Sequence, residues 1–245
     1  MSVLEKASDL IDCLGQAGEP VSLSHVRTAL AMPKSSTHRL LTELASLGIV
    51  RRTRDGRYSL GPRLLYWGEA AAETFDLRML AEPVMRRLRD EVGESVHLYV
   101  REEDRRVCIA AVEARHELRP FVQLGRSLPL RVGAAGKVLL AFAEPDIQRV
   151  ELGGQGADAD GMPAAPADLA DQLERIRHER WALSVGEREQ GVAAIATTIS
   201  DSTARVVAAL CISGPTVRLT VERLQAMREP LQLAAAEVSG LLRRG

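Results

Sequence analysis

Pro33-Lys-Ser-Ser-Thr-His-Arg-Leu-Leu-Thr-Glu-Leu-Ala-Ser-Leu-Gly48 runs directly into Ile49-Val-Arg-Arg-Thr-Arg-Asp-Gly-Arg-Tyr-Ser-Leu60. In the first stretch Leu40, Leu41, Leu44 and Leu47 recur on one face of a helix. Lys34, Ser35, Ser36, His38 and Arg39 fall on the other face, where they can offer hydrogen bonds. Pro33 suits the first helical position and Gly48 the residue just past the end. In the second stretch Asp55-Gly56 between two β-like runs predicts a two-residue hairpin. That hairpin carries Arg51, Arg52, Arg54 and Arg57. A helix with a polar face beside an arginine-bearing hairpin is the pattern of a winged helix-turn-helix, so this part of the chain is expected to bind DNA.

Working upstream, Val3, Leu4, Ala7, Leu10, Ile11 and Leu14 recur at helical spacing, and Gly15, Gly18 and Pro20 are expected to end that helix. Ser22 can cap a short second helix with Leu23, Val26, Ala29 and Leu30 inward. Charge supports the assignment. The whole chain carries −1, yet residues 22–63 hold eight basic groups against two acidic ones. Positive charge gathered on one small module is the footprint of phosphate contacts.

At 245 residues, with 46% hydrophobic and 27% charged residues, the chain has room for two ordinary globular domains. No apolar run approaches the ~18 residues of a membrane span, and no signal peptide is visible, so a cytoplasmic location and no membrane partner are expected. Cys13, Cys108 and Cys211 are an odd, scattered set beside apolar residues, which argues against a disulfide framework. Neither Cys-x-x-Cys nor His-Glu-x-x-His occurs, so neither metal nor other cofactor is expected.

Downstream of the hairpin, Leu64, Leu65, Trp67 and Ala70 to Ala72 predict a linker helix. A further helix is expected from Asp76, a possible cap, to Val92, with Pro83 inside it. Val96 to Val100 and Val107 to Val112 flank a charged turn, Glu102-Glu-Asp-Arg-Arg106, as a hairpin. A strand is expected from Pro120 to Leu124, a helix from Ala134 to Phe142, and a loop from Gly153 to Ala167. A helix from Leu169 to Trp181, strands Val192 to Ile199 and Val206 to Ile212, and one long helix from Leu219 to Leu242 follow. The fold class is therefore α+β, with helices expected on one face of a largely antiparallel sheet. The domains read as residues 1–62 for DNA, 63–75 for the linker helix and 76–245 for a sensor-like domain.

Several ordered motifs together resemble the IclR family of transcriptional regulators over nearly the whole chain. They are Leu30-Ala-Met-Pro-Lys-Ser-Ser-Thr-His-Arg-Leu-Leu41, Gly56-Arg-Tyr-Ser-Leu-Gly61, Gly125-Arg-Ser-Leu-Pro-Leu130 and Gly133-Ala-Ala-Gly-Lys-Val-Leu-Leu-Ala-Phe142. Glu187-Arg-Glu-Gln-Gly-Val192, Asp201 and Val206-Val-Ala-Ala-Leu-Cys-Ile-Ser-Gly-Pro215 complete the set. The resemblance implies an N-terminal winged helix-turn-helix, a GAF-like (PAS/profilin-like) effector-binding domain, and dimers or tetramers. It also implies effector contacts at Leu128, Ala134, Ala135, Ser184, Val192, Ala194, Cys211 and Ser213. A single winged helix buries too little DNA surface for typical specific affinity, and a two-fold protein matches a palindromic operator, so a homodimer or dimer of dimers on such an operator is expected. The chain departs from the family's usual residues at Arg131, Thr197-Thr198, Cys211 and Ala31, where His, a pair ending in Pro, Ser and Gly are frequent.

Gly133-Ala-Ala-Gly-Lys137 enters a helix, where free N–H groups and the helix dipole can hold an anion without a lysine or arginine. A small organic or aromatic acid is the expected guest, its body against Leu128, Val192 and Ala194. Catalytic readings are weaker. Gly136-Lys137 lacks the Ser/Thr and first glycine of a phosphate loop, and Gly125-Arg-Ser127-Leu-Pro129 lacks the second glycine of a nucleophile elbow. His97, His116 and His178 are dispersed. A small-molecule hydrolase with an accessory helix-turn-helix, or a sensor acting through protein contacts alone, are the alternatives to a ligand-responsive regulator.

Overall fold

Ser2 starts the first helix: its hydroxyl accepts the Glu5 N–H, and the Glu5 carboxylate accepts the Ser2 N–H in return. The computed structural model describes residues 2–73, 76–153 and 164–243, and the chain divides into two units, Met1–Phe75 and Asp76–Gly245. In the first unit α1 (Val3–Ala17) runs through Gly15 and stops only at Gly18, whose φ of 65° reverses the chain. Gly15 is not a breaker; its Cα faces Leu60, and a Cβ there would sit in ordinary contact with that side chain.

Ser22 caps α2 (Leu23–Ala29) by accepting the His25 N–H. Val26 alone is fully buried on that helix; Leu23 and Leu30 are half-buried, and Ala29 is exposed rather than inward. Helix α3 (Lys34–Ser46) begins one residue later than expected, with Pro33 extended at the cap position. Leu40, Leu41 and Leu44 enter the core with Thr37, whereas Leu47 is 50% exposed. Strands β1 (Val50–Arg52) and β2 (Tyr58–Leu60) pair antiparallel, and Val21 adds a bridge to Tyr58. The turn is longer than a two-residue hairpin. Thr53 bonds Arg57 and Gly56 bonds Thr53, with Gly56 at φ 82°, so Arg54, Asp55 and Gly56 form a three-residue loop. Helix α4 (Arg63–Glu73) follows.

The second unit is built on a six-stranded antiparallel sheet. In chain order it comprises α5 (Asp76–Val92), β3 (Ser95–Glu102), β4 (Arg105–Val112), β5 (Ser127–Pro129), α6 (Ala134–Ala141), α7 (Pro145–Gly153) and α8 (Leu169–Glu179). Then come β6 (Trp181–Val185), β7 (Val192–Ser200), β8 (Val206–Pro215), α9 (Val221–Ala226) and α10 (Arg228–Leu242). The strand order is β5-β4-β3-β8-β7-β6. Because successive side chains alternate faces, Tyr99, Cys108, Ala182, Ala196, Ala209 and Cys211 share one face and pack with α6 and α8. The intervening Leu98, Ile195, Leu210 and Ile212 are buried on the other, where α5 and α10 pack on β3, β4 and β7. Helices thus cover both faces rather than one.

Four local expectations change. No strand forms at Pro120 to Leu124, where Phe121 is 70% exposed; pairing begins at Ser127, opposite Val107. Trp181 begins β6 rather than ending a helix, because Arg180 at φ 63° stops α8. The last helix is broken at Met227 into α9 and α10. Helix α7 occupies a stretch for which no element was expected. The Asp76 side chain and residues 154–163 of the expected loop lie outside the described residues.

Candidate DNA interface and effector cavity

The polar face of α3 is presented to solvent. Lys34, Ser35, His38 and Arg39 are exposed and Ser36 is half-buried, while Thr37 turns inward and bonds the Pro33 carbonyl. Arg39 has a neighbour on its own helix, with Nε 3.7 Å from Glu43 Oε1. Its charge is therefore partly answered before any nucleic acid arrives.

The four hairpin arginines do not act as one patch. Arg51 and Arg52 are adjacent in β1, so their side chains leave on opposite faces. Arg52 lies over the Tyr58 ring, 5.8 Å from its centroid, and Arg57 Nε is 3.2 Å from Asp55 Oδ2. Arg51, opposite Ser59, and Arg54 at the loop are exposed. In the linker helix Leu65 and Trp67 are exposed at 71% and 43%, whereas Leu64 packs on the core of its own unit.

In the second unit one cavity gathers residues from distant parts of the chain. Ala134, Ala135, Ser184, Val192, Ala194, Cys211 and Ser213 all line it. Its floor follows from the sheet register: Ser184 pairs with Ala194 and Ala194 with Ser213, a row of small side chains across β6, β7 and β8. Leu128 is not on the wall; it lies opposite Arg106 in the β4–β5 pair and packs into the adjoining core. The space is narrow, about 40 Å³, which is room for a few waters. A ring-sized guest must displace a lining side chain.

The cavity also contains residues that the sequence reading passed over: Tyr99, Arg106, Val122, Arg188 and Glu189. Arg106, expected in an exposed turn, is a strand residue with 3% exposure. Its Nη1 donates to the carbonyls of Pro129 and Val132, and its guanidinium stands 5.6 Å from the Tyr99 ring centroid. Burial pushes its pKa down to about 10, so it remains a cation at neutral pH. The alternation Arg106, Cys108 on β4 was the available signal.

The two glycines of Gly133-Ala-Ala-Gly-Lys137 are required by packing and backbone conformation. A Cβ on Gly136 would land on Arg106 Nη1 and the Leu130 carbonyl, so the room it leaves is filled by protein. Gly133, at φ 79°, caps α6, and its N–H donates to Glu187 Oε2 at 2.9 Å. The other Glu187 oxygen meets Lys137 Nζ, which also donates to Gln172 Oε1 at 2.8 Å and to the Leu183 carbonyl at 2.9 Å. At this helix start the Gly133 N–H is already answered by a resident carboxylate, and two arginines, Arg106 and Arg188, stand in the same cavity wall as Ala134 and Ala135.

The buried cysteines, tyrosine and histidine around the cavity are uncharged at neutral pH. Burial raises the Cys211 and Cys108 thiols to about 12 and the Tyr99 hydroxyl further still. Burial, then the Arg188 charge, lowers His97 to about 4; its Nδ1 lies 3.3 Å from Ser213 Oγ. No group of metal-ligating side chains assembles among the described residues, and no helix among them is long and apolar enough to cross a membrane.

Comparison with known proteins agrees with both units. Residues 3–54 match the IclR helix-turn-helix domain, and residues 69–240 match the bacterial transcriptional regulator IclR C-terminal domain. The HTH-type transcriptional regulator KipR of Bacillus subtilis is 31% identical over 89% of this chain and 88% of its own length. The crystal structure of Thermotoga maritima IclR superposes with a TM-score of 0.76 at 27% identity, covering 98% of both chains. A structure of an IclR homolog from Microbacterium hydrocarbonoxydans, complexed with 4-hydroxybenzoate, shares the fold with a TM-score of 0.79 at 24% identity over the full length of both chains. The chain belongs to the IclR family of DNA-binding transcriptional regulators.

Proposed function

We propose that this regulator binds a palindromic operator as a homodimer or dimer of dimers and changes its grip when a compact organic or aromatic acid enters the cavity of the second unit. Lys34, Ser35, Ser36, His38 and Arg39 face the major groove, and Arg51, Arg52, Arg54 and Arg57 serve the backbone or minor groove. The first set can specify sequence; the second mainly positions the protein. Exposed Leu65 and Trp67 on α4 are candidates for a contact between subunits.

The observation that carries the effector reading is the convergence of seven separated family positions on one cavity with two arginines in its wall. Few polar groups in a mainly apolar wall suit a small ligand. 4-Hydroxybenzoate, the acid bound by the Microbacterium homolog, heads the panel to test, beside benzoate and pyruvate. The experiment is fluorescence anisotropy with the chain's own promoter DNA, with and without each acid. Binding without acid should weaken steeply with salt, and an active acid should shift affinity by a coupling of ~1–3 kcal/mol. Ala135→Trp should erase that shift and leave ligand-free DNA affinity intact. A folded Ala135→Trp variant that still responds places the effector elsewhere.

A further inference from the structure

Resting on the reading of this cavity as an effector site, we propose that Arg106 is its anion anchor, offering Nε and Nη2 to a carboxylate of the guest. A guanidinium has five N–H donors in a rigid fork. Among the described residues only Nη1 of Arg106 is engaged, and it holds the guanidinium against the carbonyls of Pro129 and Val132. Nε is buried with no hydrogen-bond partner among the described residues. The side chain lines the cavity at 3% exposure.

No carboxylate forms an ion pair with Arg106 among the described residues. Glu187 beside the cavity has its two oxygens taken by Gly133 N–H and Lys137 Nζ, and Glu189 on the wall is paired with Arg188 at 3.3 Å. Tyr99 supports the cation through its ring and so leaves the in-plane donors open. Arg188, also on the wall, repels the Arg106 charge rather than answering it and takes Glu189 as its own partner.

Lys137 gives the contrast within the same site. It is buried at 1% exposure but has three partners, two of them neutral and one charged. That is a cation completed by its own chain. Arg106 is a buried cation on a cavity wall with an unpartnered Nε, an arrangement that a ligand anion completes. The selectivity that follows is for acids over their amides or esters.

A purely structural Arg106 would staple the two carbonyls through Nη1 and need nothing from the cavity. Bromide separates the two roles without knowledge of the natural effector. Crystals of the full chain soaked in sodium bromide should show an anomalous peak in the cavity within hydrogen-bonding reach of Arg106 Nε. Bromide on surface arginines with an empty cavity overturns the proposal.

In solution, Arg106→Lys keeps a charge but loses the fork. It should weaken binding of any acid active in the operator assay by about 10- to 100-fold, as expected for charged hydrogen bonds. An acid response that persists unchanged in Arg106→Lys leaves the effector reading standing and removes the anchor. Bromide at Arg106 with no acid moving operator binding does the reverse.

Discussion

Arg106 occupies the volume that a methyl group on Gly136 would need. One residue is a glycine in the first turn of a helix, the other a strand arginine thirty positions earlier. Replacing an interior helical glycine by alanine ordinarily stabilises by ~1 kcal/mol. Here Gly136→Ala should destabilise by about 1–3 kcal/mol, because the Leu130 carbonyl as well as Arg106 would have to shift. Urea unfolding of the two proteins decides the sign, and an equal or higher midpoint for the alanine variant would show that the guanidinium moves aside freely.

Ala31, in the turn between α2 and α3, is held at φ 48°. That left-handed region costs a residue with a Cβ roughly 1–2 kcal/mol, while glycine adopts it freely at an entropic cost of ~0.5–1 kcal/mol. Ala31→Gly should therefore raise stability by up to about 1 kcal/mol. Thermal unfolding gives the answer, and a lower melting temperature would mean that contacts of the Ala31 methyl outweigh the backbone strain.

On DNA, Arg39 and Arg51 should separate. Arg39→Ala should cost ~1–3 kcal/mol on the cognate site and relax discrimination at one base position, as expected of a guanidinium reading guanine. Arg51→Ala should weaken all sequences alike and reduce the salt slope by about one phosphate contact. Equal losses on cognate and scrambled DNA for Arg39→Ala would reassign it to the backbone.

His97 predicts an acid-labile second unit. Its folded pKa is lowered to about 4, against ~6.5 in an unfolded chain. Between those values the unfolded chain binds more protons, so stability rises with pH. The contribution is complete above ~6.5 and is lost as pH falls toward 4, by roughly 3 kcal/mol. His97→Gln should lack that part of the acid slope. Parallel pH–stability curves for the two proteins would show that His97 accepts a proton without cost.

Much of this was legible in sequence because local and global signals agreed. The α3 leucines, Ser22 as a cap and Gly18 as a stop each report on their own neighbours, and the β7–β8 pairing follows from two long apolar runs. Arg106 was hidden because it ends the acidic and basic run Glu102-Glu-Asp-Arg-Arg106, which composition reads as a solvated turn. Only the partner strand and the Tyr99 ring turn it inward. The short strand β5 was misplaced because Pro120 to Leu124 is more apolar than Ser127 to Pro129, yet pairing with β4 chose the latter. Strand β6 was masked by its abrupt start after Arg180, whose left-handed conformation no propensity signals.

The two-sided covering of the sheet has a mechanical consequence. Cys211 and Ser213 look into the cavity, while Leu210 and Ile212, their immediate neighbours on β8, are buried on the opposite face with α5 and α10. Whatever shoulders Cys211 aside pushes the same piece of backbone against the far layer. The partition between the cavity and the helix layer is one peptide thick, and α5 is where the chain crosses from the DNA-binding unit into this one. Volume added on one side of β8 is volume subtracted on the other, so the strand works as a diaphragm.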